Sequence, residues 1–328
     1  MKLRTAIVGC GLIGDKRAKA LGDCSLVAAV DSNLARAKQL AGQYPGCDAG
    51  DDWRGAVSRP DVDLVIVATT NDVLAPATLA AVRAGKHVLV EKPAARNAAE
   101  LEPVVAAAEK AGVTVKVGFN HRFHPAFLKA REIVDTGVLG PLMFLRARYG
   151  HGGRLGMEKE WRGNPEIAGG GEMLDQGVHL IDLSRWFLGD FPEVMGRVEN
   201  YFWDWPVEDN GFALLRTAQG QSAWIHATCT EWKNLFSFEL YGKTGKLHVE
   251  GLGGSYGVER LSFYRMLPQM GPPETTIYEY PGEDTSWKAE FAHLRHCIET
   301  HTPPSGSLSD AVAALRVVEQ LYRQSKKD

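Results

Sequence analysis

Short apolar runs alternate with segments of helical character over the first third of the chain. The runs are nearly continuous, as is typical of strands in a parallel sheet that is buried on both faces. They lie at residues 3–8, 26–30, 63–68, 87–90 and 113–117. Helices are predicted between them at residues 15–21, 33–41, 52–58, 76–84 and 97–111. Five strands with helical crossovers predict a doubly wound parallel α/β sheet in a first domain spanning residues 1–121.

The pattern changes beyond this first domain. A helix at 125–135, a strand at 141–149 and a helix at 172–188 enclose a polar, glycine-rich segment at 150–171. Strands then follow with few helices between them, at residues 194–203, 211–217, 222–230, 235–241, 246–250, 258–265 and 275–280. Their glycine-containing turns fit antiparallel hairpins. We therefore predict an α+β domain with a large, mostly antiparallel open sheet over residues 122–304.

The chain is predicted to close with helices at residues 287–300 and 309–324. One side of the last helix carries Ala311, Leu315, Val318 and Tyr322, which form a mostly apolar stripe. We therefore predict that residues 305–328 form a C-terminal helix that packs back on the rest of the protein.

A glycine-rich turn follows the first strand, where Gly9, Gly11 and Gly14 have the spacing G-x-G-x-x-G around Leu12 and Ile13. In a βαβ unit the first glycine permits a tight turn, the second leaves room for a pyrophosphate, and the third lets the helix lie close to the strand. The helix N-terminus adds unpaired N–H groups and a positive dipole end. The preceding strand and following helix supply the required context, so we predict a Rossmann domain in which these five residues bind a dinucleotide.

The second strand ends in Asp31, close to the ~20-residue spacing from the glycines that is expected of a ribose-binding acid. A carboxylate accepts hydrogen bonds from a ribose 2′-OH but repels a 2′-phosphate, and the adjacent Ser32 adds no cation. We therefore predict that both residues contact NAD and that NADP is disfavoured. Arg36 is the residue that would contradict this preference. The alternative is that Asp31 only caps the helix that follows.

Polar residues also follow three later strands, and ligands of open α/β sheets bind at the carboxyl ends of strands. Lys92 stands out because Pro93 holds it in an extended conformation. The residues that we predict to contact the cofactor here are Thr69, Thr70, Asn71, Glu91, Lys92 and Asn120. The alternatives are an ordinary helix-capping turn at 69–71 and a surface position for the lysine.

The segment from Gly169 to Asp182 is the most informative stretch outside the glycine turn. A helix would place Asp175, His179 and Asp182 on one face. Three interpretations remain open: a helix cap followed by a satisfied histidine, a metal site with too few ligands, or acid/base chemistry. The last interpretation suits alcohol oxidation, because a histidine can accept the hydroxyl proton while the hydride leaves.

Other clusters have weaker chemical meaning. His293, His296 and Cys297 lie in a helical pattern with apolar residues, so we predict no metal site. An aromatic cluster of Tyr201, Trp203 and Trp205 has two interpretations, stacking on a sugar or nucleotide ring and burial at a sheet face or subunit contact, and the second is favoured. The long polar segment before Gly169 contains His151 and Arg154, and long irregular segments are often functional loops. Predicted substrate contacts in and before that segment are Arg122, Trp161 and Arg162.

Composition and charge restrict the class of protein. The 328-residue chain is 45% hydrophobic, enough for two cores, and its formal net charge is -3. The charges are mixed along the chain, so neither nucleic acid nor an anionic membrane is expected as a partner. The first strand leaves no room for a signal peptide, and no apolar run reaches the ~18 residues of a membrane span. Five scattered cysteines suit a reducing compartment, and we predict a cytoplasmic protein.

Three motifs occur in order: the glycine turn at 9–14, Glu91-Lys92-Pro93, and Gly169-Gly170-Gly171 leading to Asp175-x-Gly177-x-His179. Together they resemble the Gfo/Idh/MocA oxidoreductases, the family of glucose-fructose oxidoreductase and inositol dehydrogenase, nearly from end to end. The resemblance implies that Lys92, Asp175 and His179 are catalytic and also contact the substrate. It further implies that His179 is the base in alcohol oxidation and the acid in ketone reduction, with Lys92 polarising the oxygen and Asp175 orienting the substrate.

The leading hypothesis is an NAD-dependent dehydrogenase that acts on a sugar or a nucleotide sugar, because Arg154, Trp161 and Arg162 would suit an anionic or bulky substituent. The alternatives are polyol oxidation of the inositol 2-dehydrogenase type and an NAD-assisted glycosidase. A non-enzymatic NAD-binding regulator is disfavoured, since it would not need both Lys92 and His179. The family's use of the open sheet for subunit contacts implies a homodimer or homotetramer.

Overall fold

The computed structural model describes residues 2–269 and 271–326 of the chain. The chain forms two compact units. The first comprises Met1–Phe119, Glu166–Gly169 and Trp287–Val312, and the second comprises Asn120–Pro165, Gly170–Ser286 and Ala313–Asp328. The division into domains at 121 and 304 stays a prediction.

The first unit contains a six-stranded parallel sheet. Its strands are β1 (Arg4–Val8), β2 (Ser25–Val30), β3 (Asp48–Gly50), β4 (Leu64–Val67), β5 (His87–Val90) and β6 (Val115–Val117). The strand order is β3-β2-β1-β4-β5-β6, so the chain reverses direction across the sheet after β3, as in a doubly wound Rossmann fold. The helices are α1 (Leu12–Lys19), α2 (Leu34–Ala41), α3 (Trp53–Val57), α4 (Asn71–Arg83) and α5 (Glu102–Ala111).

The sequence prediction of five strands was wrong by one, because β3 was missed. This strand has three residues, an aspartate, an alanine and a glycine, and it pairs with β2 at the edge of the sheet. It has no apolar run and no β-branched residue, and those are the features by which a strand is recognised in a sequence. Helices α1 and α4 also begin earlier than predicted, at Leu12 and Asn71.

The second unit contains an eight-stranded sheet. Its strands are β7 (Leu142–Gly150), β8 (Glu193–Glu199), β9 (Asn210–Arg216), β10 (Ser222–Thr228), β11 (Leu235–Gly242), β12 (Gly245–Glu250), β13 (Glu259–Arg265) and β14 (Glu274–Tyr280). The order is β14-β13-β12-β11-β7-β10-β9-β8, and every pair is antiparallel except β7 with β10. The predicted fold class, a parallel Rossmann sheet followed by a mostly antiparallel open sheet, is confirmed.

Helices cover one face of this sheet. They are α6 (Pro125–Asp135) and α8 (Val178–Leu188), which is preceded by a single π-helical turn at Met173–Gly177. The short helix α7 spans Pro165–Ala168, and most of it belongs to the first unit. Phe127 of α6 packs on the rings of Phe236 and Phe238 with centroid distances of 5.8 and 5.3 Å. The predicted helix at 172–188 consists of two segments of different pitch, the π-helical turn and α8.

Strand β8 ends at Glu199, four residues before the end of the predicted strand.

The chain closes with α9 (Ser286–Thr300) and α10 (Leu308–Ser325). Phe291, Leu294 and Ile298 of α9 join the core of the first unit, where they pack with residues such as Leu3 and Ile7. Within residues 2–269 and 271–326, none of the helices combines the length and the hydropathy that a bilayer crossing requires.

Candidate functional site

The glycine turn has the geometry that a phosphate cradle needs. Gly9 has φ +98°, and a Cβ there would lie 2.3 Å from the carbonyl oxygen of Ala68. A Cβ at Gly14 would lie 2.0 Å from the carbonyl oxygen of Gly9, so the helix and the turn touch through this glycine. A Cβ at Gly11 would meet nothing within 4 Å, and Gly11 is the N-cap of α1. The open space therefore lies where the helix presents its first N–H groups, which is the arrangement that binds a pyrophosphate.

Asp31 connects the glycine turn to the end of β2. One carboxylate oxygen accepts the backbone N–H of Cys10 at 2.8 Å, and the other accepts the N–H of Asn33 at 2.8 Å. The cap of α2 is Asn33, whose side chain accepts the N–H of Ala35 at 3.1 Å, so Asp31 does not cap that helix. Ser32 is exposed beside it. The Asp31 carboxylate therefore lies at the turn that would hold the cofactor.

The remaining strand-end residues of the first unit lie in and around α1 and α4. Leu12 is exposed and Ile13 is half-buried in the first turn of α1. The hydroxyl of Thr70 donates to Asp72 at 2.6 Å, Thr69 is half-buried, and Asn71 is buried and donates to the carbonyl of Ala168 at 2.8 Å. Contacts of these residues to a cofactor stay predictions.

Lys92 lies in a tight turn at the end of β5. The N–H of Ala94 donates to the carbonyl of Glu91 at 2.9 Å, and the peptide bond between Lys92 and Pro93 is cis. Ala94 has φ 73° and is fully buried. The lysine itself is half-buried. Lys92 therefore lies in the turn that follows the carboxyl end of β5.

A buried network of four charged side chains lies directly behind this turn. The guanidinium of Arg17, on α1, is fully buried and pairs with Glu91 at 2.5 Å and with Glu290 at 2.5 Å. Lys116 lies 3.3 Å from the other oxygen of Glu290, and both of these side chains are fully buried. Burial raises the pKa of Glu91 despite the nearby Arg17. The network joins α1, which begins at the glycine turn, to the residue that precedes Lys92.

The backbone at the start of the predicted catalytic segment is hydrogen-bonded to Glu208, a buried carboxylate that was not among the residues predicted from the sequence. Glu208 accepts the N–H groups of Gly171 and Met173 at 2.8 and 3.1 Å and the hydroxyl of Tyr322 at 2.7 Å. A Cβ at Gly171 would lie 2.0 Å from the Glu208 carbonyl oxygen, which explains a glycine at this position. Burial raises the pKa of Glu208 to about 7. These bonds fix where the π-helical turn starts.

His179 lies in the first turn of α8 and stacks on a second histidine. The rings of His179 and His121 have centroids 3.8 Å apart and planes inclined by 25°. The amide oxygen of Asn120 accepts from His121 Nδ1 at 3.2 Å, and its amide nitrogen donates to the hydroxyl oxygen of Ser286 at 2.9 Å. Tyr149 lies at 5.4 Å from the His121 ring. His179 is therefore a buried imidazole held against another imidazole, and not an isolated histidine on an apolar face.

The two aspartates on either side of His179 have different environments. Asp175 lies in the π-helical turn and accepts from Arg162 Nε at 3.0 Å, with 21% of its side chain exposed. Asp182 lies in α8, is 1% exposed, and binds both ends of the buried Arg122 guanidinium at 2.8 and 2.6 Å. The exposed pair can contact a ligand, whereas the buried pair fixes Arg122 in place.

Two predicted loop residues join this cluster. His151 Nε2 lies 3.4 Å from Glu172, the residue before the π-helical turn, and His151 Nδ1 accepts the N–H of Gly153 at 3.0 Å. The Arg162 guanidinium lies 4.5 Å from the ring centroid of Trp161. Arg154 pairs with Glu160 on the surface. The polar segment thus brings His151 and Arg162 to the catalytic segment, while Arg154 lies apart.

The aromatic loop after β8 is held by one buried carboxylate. Asp209 is fully buried, and its oxygens accept the backbone N–H groups of Tyr201, Phe202 and Trp203 at 2.9, 2.7 and 3.0 Å. Burial raises its pKa, but the side chain of Asn210 and these three N–H groups outweigh burial, and the pKa lies below its ordinary value of 3.8.

We expect Asp209→Asn to lower the free energy of unfolding by about 2–3 kcal/mol at neutral pH, because an amide nitrogen would face backbone N–H groups. A depressed pKa contributes stability above pH 3.8 that is lost as the pH falls through the folded-state pKa, so the deficit should shrink in acid. Urea unfolding across this range measures it. The matched control is Asp204→Asn in the same loop, where the side chain is exposed. A deficit that does not change with pH would contradict this account.

Within the described part of the chain, no group of three or more His, Cys, Asp or Glu residues is arranged to hold a metal ion. His293 accepts the N–H of Ser305 at 2.9 Å and lies 3.4 Å from the Cys297 sulfur, so its ring serves the packing of α9.

Comparison with protein families matches both parts of the chain. Residues 3–119 match the oxidoreductase family with an NAD-binding Rossmann fold, GFO_IDH_MocA. Residues 127–248 match the GFO/IDH/MocA C-terminal domain.

Individual relatives agree with this assignment. The chain is 35% identical to 1,5-anhydro-D-fructose reductase of Ensifer adhaerens over 269 residues, which cover 79% of the chain and 76% of the relative. It is 29% identical to levoglucosan dehydrogenase of Pseudarthrobacter phenanthrenivorans over 192 residues, 58% of the chain and 49% of the relative, so that match spans about half of the relative's length. The crystal structure of aldose-aldose oxidoreductase from Caulobacter crescentus, complexed with glycerol, has a TM-score of 0.85 at 28% identity and covers 100% of the chain and 98% of that structure. These matches confirm the predicted resemblance and cofactor. The chain belongs to the GFO/IDH/MocA family of oxidoreductases, and its N-terminal part is the NAD-binding Rossmann fold of that family.

Proposed function

We propose that the protein is an NAD-dependent dehydrogenase that converts a secondary alcohol of a sugar or nucleotide sugar to a ketone, and the ketone to the alcohol in reverse. The observation that supports this most directly is the environment of His179. Its imidazole is buried against His121, at the start of a helix whose preceding turn carries the partly exposed Asp175. A histidine in such a setting suits the transfer of a hydroxyl proton.

The residues of the first unit fit NAD. The open space at Gly11 and the free end of α1 suit a pyrophosphate, and the Asp31 carboxylate suits a ribose 2′-hydroxyl. A 2′-phosphate would be repelled by that carboxylate, which is fixed by its two backbone N–H partners. When NAD is bound, it accepts the hydride from the carbinol carbon or returns it to the ketone. We propose that Thr69, Asn71 and the Glu91 backbone contribute further contacts.

We propose distinct roles for the three candidate catalytic residues. In the oxidising direction His179 accepts the proton of the substrate hydroxyl as the carbon loses its hydride, so the substrate loses two electrons and two hydrogens. The ammonium of Lys92 stabilises the negative charge that develops on that oxygen. Asp175 accepts hydrogen bonds from neighbouring hydroxyls. In the reducing direction His179 returns the proton to the oxygen.

The substrate class is supported by the surroundings of Asp175. Arg162 holds this carboxylate while 40% of its own side chain stays exposed, and it lies over the Trp161 ring. A carboxylate and a guanidinium side by side suit the hydroxyl groups of a sugar, and the exposed guanidinium also suits an anionic substituent. The relatives named above are a reductase of an anhydro-sugar, a dehydrogenase of levoglucosan and an aldose oxidoreductase.

We also propose that the protein forms a homodimer or homotetramer through the open face of the eight-stranded sheet. Met195, Leu214 and Trp224 lie opposite one another on β8, β9 and β10 and are 63%, 45% and 40% exposed. A row of apolar side chains of this kind is typical of a protein interface. All five cysteines are free thiols, which supports the proposed location in the cytoplasm.

The test is a panel of sugars, nucleotide sugars and inositols, each assayed with NAD and with NADP by nicotinamide absorbance. We expect NADH to form with sugars or nucleotide sugars, and more slowly or not at all with NADP. Turnover of inositols alone would overturn the proposed substrate class. Release of an aglycone without net NADH would identify an NAD-assisted glycosidase, and a faster reaction with NADP would overturn the role of Asp31.

A further inference from the structure

Four aromatic side chains of the second unit lie on two loops, and we call this group the aromatic platform: Tyr201, Phe202, Trp203 and Trp232. Phe202 lies edge-on to Trp232 at 4.9 Å and to Trp203 at 5.1 Å between ring centroids. Tyr201, Phe202 and Trp232 are 67%, 54% and 70% exposed. The sequence analysis favoured burial of Tyr201 at a sheet face or at a subunit contact; in the single chain Tyr201 is exposed, and the subunit contact stays a prediction. Large aromatic side chains in this number are rarely left in water without a ligand or a partner.

Hydrogen bonds hold the backbone of the 201–203 loop and the Trp203 ring in place. Three consecutive N–H groups of the loop at 201–203 are held by the buried Asp209 carboxylate. The indole N–H of Trp203 donates to the carbonyl of Cys229 at 3.0 Å. A ring that is held in one position loses little freedom when a ligand binds, so each contact contributes more of its energy to affinity.

Trp232 has an unusual backbone conformation. Its φ is 62°, in the left-handed region that bulky residues rarely adopt. A Cβ on Gly152 would lie 3.3 Å from the Trp232 Cα, so the glycine at 152 allows the loop at 150–153 to lie close to this backbone. Strained residues of this kind are concentrated at ligand-binding sites, where the surrounding structure maintains them.

The aromatic platform is continuous with the candidate substrate site. Glu231, the neighbour of Trp232, donates its N–H to the carbonyl of His151 at 3.1 Å. The imidazole of the same His151 lies 3.4 Å from Glu172, three residues before Asp175. Two residues after His151, a Cβ on Gly153 would lie 2.3 Å from the Trp203 ring, so this loop rests on that ring. His151 therefore contacts the catalytic segment through its side chain and the loop that carries Trp232 through its backbone.

We propose that the aromatic platform binds a second ring, joined by a glycosidic bond to the sugar that is oxidised. This inference rests on the proposed function. The faces of a pyranose expose C–H groups, and the faces of aromatic rings carry partial negative charge, so the two stack favourably, and an aryl ring packs on the same surface by offset or edge contacts. Sites for such ligands combine aromatic walls with a few polar groups, as the aromatic platform does with His151 and the Asp175–Arg162 pair. The preferred substrate is thus a glycoside with a cyclic substituent rather than a free monosaccharide.

The test compares methyl β-D-glucopyranoside, phenyl β-D-glucopyranoside and cellobiose as substrates with NAD. In the wild-type protein we expect kcat/KM to be higher for the two ring-bearing glycosides than for the methyl glycoside. Trp232→Ala and Phe202→Ala should each lower kcat/KM for the ring-bearing glycosides by about tenfold and leave the methyl glycoside within about twofold. The two ring-bearing substrates separate an aryl group from a second sugar. Trp53→Ala, at a partly exposed tryptophan on α3 in the first unit, is the matched control and should change all three substrates equally or not at all.

A second measurement does not depend on turnover. Binding of phenyl β-D-glucopyranoside or cellobiose should change the tryptophan fluorescence of the wild-type protein, and Trp232→Ala should abolish most of that change. If no glycoside reduces NAD but the fluorescence change occurs and is lost in Trp232→Ala, the proposed function falls and the ring-binding surface stands. Equal losses for all three substrates would overturn the platform proposal. A change of oligomeric state in Trp232→Ala, seen by sedimentation, would overturn it as well and identify an interface between copies of the chain.

Discussion

His179→Ala is expected to lower kcat by about 10²–10⁴-fold, because the variant has no group to accept or return the hydroxyl proton. Lys92→Met should lower kcat by about 10²–10³-fold, because it removes the positive charge that stabilises the developing oxyanion. Neither side chain is proposed to hold the dinucleotide tightly, so the Kd for NADH, measured by its fluorescence, should change little. Stopped-flow absorbance of NADH formation with a saturating substrate measures the loss directly.

The His179 ring packs on His121, so the alanine variant also removes a buried contact. His179→Asn keeps most of the volume and should be as inactive as the alanine variant if the imidazole acts in proton transfer. Matched controls are Lys19→Met, an exposed lysine on α1, and His226→Asn, a histidine on the open sheet face. A folded His179→Asn protein with near-normal kcat would contradict proton transfer by His179 and leave this histidine only a packing role.

Arg17→Met is expected to lower the free energy of unfolding by about 3–5 kcal/mol, because it leaves Glu91 and Glu290 buried without their principal counter-charge. The Arg17 guanidinium also lies 4.4 Å from the ring centroid of Trp287, so the substitution removes a cation–π contact as well. Urea unfolding monitored by tryptophan fluorescence measures the effect. Lys116 stays 3.3 Å from Glu290 and compensates only one of the two carboxylates.

A double variant, Arg17→Met with Glu290→Gln, tests the same network. The double variant removes one uncompensated carboxylate, so its cost should be smaller than the sum of the two single costs. Arg4→Met is the matched control, because Arg4 pairs with Asp63 at 2.7 Å on the surface, and such exposed pairs contribute little. If Arg17→Met were no more destabilising than Arg4→Met, the buried network would not be needed for the stability of the fold.

Much of the fold could be predicted because its signals are local. Strands β1, β2, β4 and β5 are mostly apolar, and most of their residues are buried in the sheet, as is typical of parallel strands. The glycine turn could be predicted because its glycines have a fixed spacing in the sequence, although only Gly14 makes its close contact within one βα unit and Gly9 contacts Ala68, just after β4. Strand β3 could not be predicted, since its three residues are held by pairing with β2 and not by their own propensity.

The candidate site was harder to predict where its residues depend on partners far away in the sequence. Asp175 and His179 were identified from their spacing, and their roles stay predictions. Glu208 gave no local signal, because it acts on Gly171 and Met173 through hydrogen bonds that span more than thirty residues. The stacking of His121 on His179 likewise joins two separate elements. The π-helical turn was missed because an i to i+4 pattern is the same in sequence whether or not one turn is wider.

The position of β7 in the eight-stranded sheet has a consequence for how the chain acquires its fold. Strands β8 to β10 and strands β11 to β14 are two consecutive meanders, and β7, synthesised before both, lies between them. It pairs with β10 in parallel and with β11 in antiparallel orientation, across about 80 to 100 residues of chain. Each meander therefore has an unprotected edge until β7 docks, and closing such long loops is slow. The nascent protein is thus most exposed to aggregation in the interval between synthesis of β10 and completion of the sheet, when chaperone protection has its greatest value.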